Sequence, residues 1–242
     1  MPVHGSETIE VVTREVAGDR ALAIGDRGAV VLFGLGPAAG GLPPPQRAAA
    51  ILDGLGPALR SIRWARQVHG ATVVTVDEGG GEALVCVGDA DGLITRRTGC
   101  GLLVWTADCV PVALVGPRVV AIVHAGWRGA AAGIVAAAVR RIAESGTPPG
   151  QLRAVLGPAV CGRHYQVGPE VVEALARTGV PRPAWLDGDR VDLRGFLVAQ
   201  LAELGVPAVA TIGPCTYSSP ELASYRRDGS AAGRQWSLVW RP

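Results

Sequence analysis

Three residues of this 242-residue chain carry metal-seeking side chains at the ends of apolar, strand-like runs. They are His69 in 66-RQVHGATVV-74, Cys109 in 105-WTADCVPVALV-115, and His124 in 121-AIVHAGWRGAAAGIVAAAVRR-141. Imidazole and thiolate are natural ligands for Zn2+ or copper, and three protein ligands with an open fourth position are the usual catalytic zinc arrangement. The spacing is not that of a zinc finger, so any such centre has to be assembled from distant strands. Taken singly, the same residues read first as capped core histidines and a small buried thiol. Cys109 with His124 as its base also fits a thiol nucleophile for amide hydrolysis.

The elements that would have to position these residues are short β-like runs mixed with a few helices. Strands are expected at 8–12, 29–33, 61–68, 72–76, 101–106, 111–115 and 119–124, then at 153–157, 207–212 and 235–240. Each is rich in β-branched or apolar residues and bounded by Gly, Pro or Asp. Helices are expected from Pro45, from near Arg128, and over 169–179 and 193–205, the first with prolines in its opening turn. The stretch 36-GPAAGGLPPP-45 reads as a loop. Several strands in succession before a long helix favour α+β over regular βαβ alternation. The glycine runs at 40–42 and 79–81 lack the strand–turn–helix setting of a dinucleotide or P-loop fingerprint and read as turns.

Composition narrows the function classes. The formal charge of +2 gives no electrostatic case for nucleic acid or an anionic membrane surface. All 23 basic side chains are arginine, which excludes lysine Schiff-base chemistry and a P-loop lysine. The N-terminal stretch has neither a basic nor an apolar signal region, and no apolar run reaches the ~20 residues that span a bilayer. The chain therefore reads as soluble and cytoplasmic. Five dispersed cysteines without a C-x-x-C pair suggest buried thiols or metal ligands rather than a disulfide framework. Oligomeric state is not legible.

The strings RQVHG, DADGLIT, TADCVPV, VHAGWRGAAAGI and YRRDG…GR occur here in one order from about Arg63 to the C-terminus. In that combination the chain resembles the multicopper polyphenol oxidase, or laccase-domain, family. Its members are associated with purine nucleoside phosphorylase activity and, in some bacteria, peptidoglycan editing. The resemblance implies a single domain over 1–242, an α+β layered α/β/β/α sandwich with mixed sheets inside and helices outside. It implies metal ligation by His69, Cys109 and His124, with Zn2+ as the cofactor and Cu2+ as the alternative, and a purine nucleoside and phosphate as partners. Adenosine, inosine and S-methyl-5'-thioadenosine are the implied substrates, with adenosine deamination as a second activity.

The neighbours make physical sense of such a site. Gly126 and Gly129 suit a turn from strand to helix, and the helix N-terminus with Arg128 suits a phosphate. Asp108, beside the cysteine, is a candidate acid–base or orienting group, as are Asp89 and Asp91. A carboxylate supporting a ligand histidine is typical of metal sites. Arg226, Arg227 and Arg234 are further candidate anion contacts. Two segments depart from the family pattern: 160-VCGRHYQVG-168 places His164 where relatives often have a second cysteine, and 32-LFGLGPAAGG-41 replaces a glycine-rich stretch. A copper phenol oxidase is the alternative function, but its electron-transfer chain needs many imidazoles. This chain has four.

Overall fold

A computed structural model of the chain describes residues 10–36, 44–77 and 81–242. The described residues open with two hairpins, β1 (Val11–Val16), β2 (Asp19–Asp26) and β3 (Ala29–Gly34). Both hairpin turns have two residues, Ala17-Gly18 and Arg27-Gly28, all at positive φ. This is the turn geometry that matches the right-handed twist of paired strands. The strand expected at 8–12 is thus displaced to Val11–Val16, with residues 8 and 9 outside the described ones. The loop read at 36–45 falls mostly outside them too, as do the run at 40–42 and the first two glycines of 79–81.

The chain continues with α1 (Pro44–Leu55), β4 (Ser61–Arg66), β5 (Val73–Thr75), β6 (Leu84–Asp89), β7 (Gly92–Thr95), β8 (Cys100–Thr106), β9 (Val110–Val115) and β10 (Val120–Ala125). After these come α2 (Trp127–Ala131), α3 (Ile134–Glu144), β11 (Arg153–Leu156), α4 (Pro169–Ala176), and the small pair β12 (Leu186–Asp187) and β13 (Arg190–Val191). The last elements are α5 (Leu193–Glu203), β14 (Ala208–Thr211), α6 (Tyr225–Asp228) and β15 (Gln235–Trp240).

The strands build a seven-stranded sheet, ordered β1-β2-β3-β15-β8-β4-β6, and a six-stranded sheet, ordered β14-β11-β9-β10-β7-β5. Both are mixed: β4 runs parallel to β6 and β8, β11 to β14 and β5 to β7, while the other pairs are antiparallel. Strand alternation sorts the side chains into three apolar layers. Val120 and Ile122 of β10 meet Leu102 and Val104 of β8 between the sheets. Ala121 and Val123 face outward onto Ile134, Val135 and Ala138 of α3. On the far side, Leu103 and Leu238 pack under Ala48 and Ile51 of α1. Strands covered on both faces need near-continuous apolar runs, which is what β9 and β10 have. The architecture is therefore the expected α+β sandwich, with sheets inside and helices outside.

The helix expected from Arg128 is two helices. Gly133 adopts φ +81° between α2 and α3, a left-handed conformation that ends the first helix after five residues and caps the second. The alanine-rich face packs as expected, but on α3 rather than on one long helix. Six elements were not anticipated: β2, whose alternation is diluted by Asp, Arg and Gly, β7, hidden inside DADGLIT, the weakly patterned β6, the two-residue strands β12 and β13, and the short α6.

Candidate metal centre

β9 and β10 are antiparallel neighbours, with Ala125 opposite Val110 and His124 opposite Pro111. The register puts Cys109, just before β9, beside the end of β10 that carries His124. Both side chains follow the parity that faces the other sheet, so they meet at the open rim of the inter-sheet layer. His69 arrives from the loop between β4 and β5. Its ring lies edge-on to that of His124, with centroids 4.8 Å apart, and its Nε2 is 4.0 Å from Cys109 Sγ. The three donor atoms all lie within 4.8 Å of one another, with His69 exposed, Cys109 half-buried and His124 buried.

Asp91 holds this arrangement together. Its side chain is fully buried and accepts the backbone N–H groups of Val68, His69 and Gly70 at 3.2, 3.0 and 2.7 Å. The same carboxylate is 2.8 Å from His124 Nδ1. One residue thereby folds the turn that presents His69, which sits at φ +58°, and aims Nε2 of His124 at the other two donors. Gln67 adds a second clamp, donating to the Trp105 carbonyl at 2.7 Å and accepting the Trp105 N–H at 2.8 Å. It lies inside the RQVHG string but had no assigned role, because an amide side chain mimicking a strand partner leaves no periodic trace in sequence.

Electrostatics agree with the geometry. Burial alone would raise the Cys109 thiol, but hydrogen bonds with His124 and His69 outweigh it and bring the pKa from 9.0 down to about 6. Burial would lower His124, but hydrogen bonds with Asp91 and Cys109 raise it from 6.5 to about 9. Burial would raise Asp91, yet His124 and the turn N–H groups hold it below the usual carboxylate range. An anionic sulfur facing two imidazoles is the chemistry of a soft cation site. Tetrahedral zinc, with Zn–S ~2.3 Å and Zn–N ~2.0–2.1 Å, separates S and N donors by about 3.5 Å. Closing the 4.0 Å gap needs a contraction of only about half an ångström, and the exposed His69 is the donor free to make it. Gly126 keeps the space clear: a Cβ there would lie 2.9 Å from His69 Cδ2 and 3.0 Å from Cys109 Sγ.

The centre opens into a cavity of about 900 Å³ lined by Trp64, Trp105, Trp127, Tyr165 and the arginines Arg47, Arg66, Arg128, Arg226 and Arg234, together with Asp108. A smaller cavity of about 500 Å³ adjoins it and shares Trp127, Arg128, Tyr165 and Arg226. Arg128 lies over the Trp127 ring at 4.3 Å and Arg226 over Tyr165 at 5.1 Å, cation–π contacts that localise both guanidinium groups. Burial and the nearby Cys109 charge push the Tyr165 hydroxyl up to about 12, so it stays a proton donor.

Other expected residues are placed differently. Asp108, at φ +81°, accepts from the Thr216 hydroxyl and the Arg226 backbone N–H, both at 2.6 Å. Its carboxylate anchors the C-terminal loop at the cavity wall. Arg227 turns away and donates to the carbonyls of Thr216, Tyr217, Ser219 and Leu222, besides pairing with Asp228. Asp89 forms an exposed pair with Arg66. His164 approaches neither cavity's metal-facing side but meets two other cysteines. The helix after His124 is so short that the anion reading rests on Arg128 rather than on a long helix dipole.

Residues 46–242 match the model of the family described as multi-copper polyphenol oxidoreductase laccase. A purine nucleoside phosphorylase of Streptomyces coelicolor is 43% identical over 187 residues, covering 73% of this chain and 74% of that protein. An adenosine deaminase from an unknown prokaryotic organism is 33% identical over 192 residues, covering 73% of each. Among solved structures, the hypothetical protein YfiH of Bacillus licheniformis superposes with a TM-score of 0.80 at 25% identity, over 92% of this chain and 96% of that one.

Proposed function

The chain belongs to the multi-copper polyphenol oxidoreductase laccase family, and from that premise we propose that it is a zinc-dependent purine nucleoside phosphorylase with adenosine deaminase activity. Adenosine, inosine and S-methyl-5'-thioadenosine are the proposed substrates. The observation that carries the reading is the convergence of His69, Cys109 and His124 on one rim of an arginine-lined cavity. The names of the relatives support the substrate class.

The residues divide the work. His69, Cys109 and His124 would hold the cation, and Asp91 orients two of them from behind. Zn2+ bound there supplies Lewis-acid polarisation of a substrate atom or of water. Arg128 and Arg226, shared by the two cavities, would hold phosphate, since a guanidinium offers charged, paired donors to its oxygens. Trp64, Trp105 and Trp127 offer flat apolar surface for a purine. Tyr165 keeps its proton at neutral pH and can donate a hydrogen bond to the substrate or leaving base. Asp108 positions Arg226 through its backbone. Arg227, committed to carbonyls, supports the loop rather than the ligand.

A second reading is favoured by the thiolate–imidazolium pairing of Cys109 and His124, which suits nucleophilic attack on an amide. One experiment separates the two. Inosine and adenosine turnover is measured with and without phosphate, before and after metal removal, in wild type and Cys109→Ala. Phosphate-dependent release of base that vanishes on chelation and returns with zinc supports the phosphorylase. Turnover that survives chelation but not Cys109→Ala overturns it in favour of the thiol mechanism.

A further inference from the structure

A second cluster of soft donors lies apart from the centre described above. Cys161 and His164 bracket a single 3-10 turn, Gly162–His164, whose three-residue period stacks side chains three apart on one side. His164 Nδ1 lies 3.3 Å from Cys161 Sγ. Cys215, from the loop after β14, is 3.5 Å from the same nitrogen. All three donor atoms fall within 4.8 Å of one another, and all three residues are half-buried.

We propose that Cys161, His164 and Cys215 form a second metal site, one for a soft divalent cation of the Zn2+ class. Tetrahedral zinc with its usual S and N bond lengths requires S–N separations of about 3.5 Å. Both observed separations meet that value without rearrangement, more closely than at the first centre. The donors are also held from behind as metal ligands are. The Cys161 backbone N–H donates to Cys215 Sγ at 3.2 Å, which favours an anionic sulfur. The His164 ring stacks on Tyr217 with centroids 4.7 Å apart and planes within 21°. Cys215 is pinned by the bridge to Ala159 and by the Thr216 N–H on the Ala159 carbonyl at 3.1 Å. A simple disulfide between the two cysteines would leave no reason for an imidazole nitrogen aimed at both sulfurs.

The site's position gives it a task. His164 directly precedes Tyr165, while Cys215 directly precedes Thr216, which holds Asp108 and through it Arg226. A cation there would staple together the segments that place Tyr165 and, through Thr216 and Asp108, Arg226, which lies over the Tyr165 ring at 5.1 Å in the wall shared by both cavities. It would act as a positioning site, remote from the proposed chemistry.

The test uses the full-length chain with the first centre disabled by Cys109→Ser, so that only the second can report. Elemental analysis of that variant should retain one equivalent of zinc, and cobalt exchanged into it should show sulfur-to-metal charge-transfer absorption. Adding Cys215→Ser or His164→Ala should abolish both signals. Adding His164→Cys should keep the metal, because a third thiolate replaces the imidazole, and this arm guards against a variant that merely misfolds. A Cys109→Ser protein free of zinc, a cobalt signal indifferent to Cys215→Ser and His164→Ala, or a Cys161–Cys215 disulfide in non-reducing peptide maps overturns the proposal. None of these outcomes depends on which reaction the first centre performs.

Discussion

At the scale of single residues, the first centre depends on what is small as much as on what binds. Gly126 leaves room for an imidazole and a sulfur that a single methyl group would displace. Gly126→Ala should therefore weaken metal binding while every ligand remains, by about 10–100-fold, the range seen when groups supporting metal ligands are altered. Competition with a chromophoric chelator measures it, and unchanged affinity would refute the spatial argument. Protonation follows from the same crowding. In chelated protein, Cys109's depressed pKa contributes stability present above 9.0 and lost as pH falls through about 6. His124's raised pKa contributes stability present below 6.5 and lost as pH rises through about 9. Between 6.5 and 9 one contribution grows while the other fades, so folding stability from this pair is nearly level. The thiolate is the sensitive readout. The difference in ultraviolet thiolate absorbance between wild type and Cys109→Ser should titrate near pH 6, whereas a midpoint near 9.0 would show the imidazoles do not act on the sulfur.

At the scale of elements, the strand–turn–helix after His124 is the unit that would join the proposed metal and anion sites. β10 delivers His124, Gly126 turns the chain, and α2 presents Arg128 over Trp127 before Gly133 breaks the helix. That break lets α3 take its own angle across the sheet and bury Ile134, Val135 and Ala138. Gly133→Ala imposes a left-handed backbone on a residue with a Cβ and should destabilise the protein by about 1–2 kcal/mol. Denaturant unfolding checks this, with metal content of the folded protein unchanged. An Ala variant as stable as wild type would mean the two helices can fuse without loss. The loop of His69 is a different kind of element, stabilised by one buried carboxylate rather than by packing.

At the scale of the whole molecule, the site is where the two sheets part. β15, near the end of the chain, lies between β3 and β8 in the seven-stranded sheet, so the N-terminal hairpins join the rest through it. Among the described residues no helix is long and apolar enough to cross a membrane. Metal bound at the rim would draw together the β4–β5 loop, β9 and β10, segments from distant parts of the sequence. Binding that requires the folded state stabilises it by mass action, on the order of 4 kcal/mol with free metal ~1,000-fold above Kd. Chelation should accordingly lower the thermal midpoint of wild type, and readdition of zinc should restore it. A midpoint indifferent to chelation would argue against any folded-state metal.

Much of this was legible in the residues themselves. The apolar runs of β8, β9, β10 and β15 mark strands because burial on both faces leaves no polar alternation to misread. His69, Cys109 and His124 stand out because metal-seeking side chains end apolar, strand-like runs, and the family strings join them into one set. The sequence also named Asp91, Arg128 and Arg226 as candidates. It could not rank Asp91 above Asp89 or Asp108, since three carboxylates near turns look alike until their partners are in place. Only the tertiary structure buries one under three backbone N–H groups, leaves another on the surface with Arg66, and ties the third to Thr216. The same holds for Cys161, His164 and Cys215. Their meeting depends on a bridge between chain segments some fifty residues apart, because contact across that separation is decided by sheet topology, which no local pattern encodes.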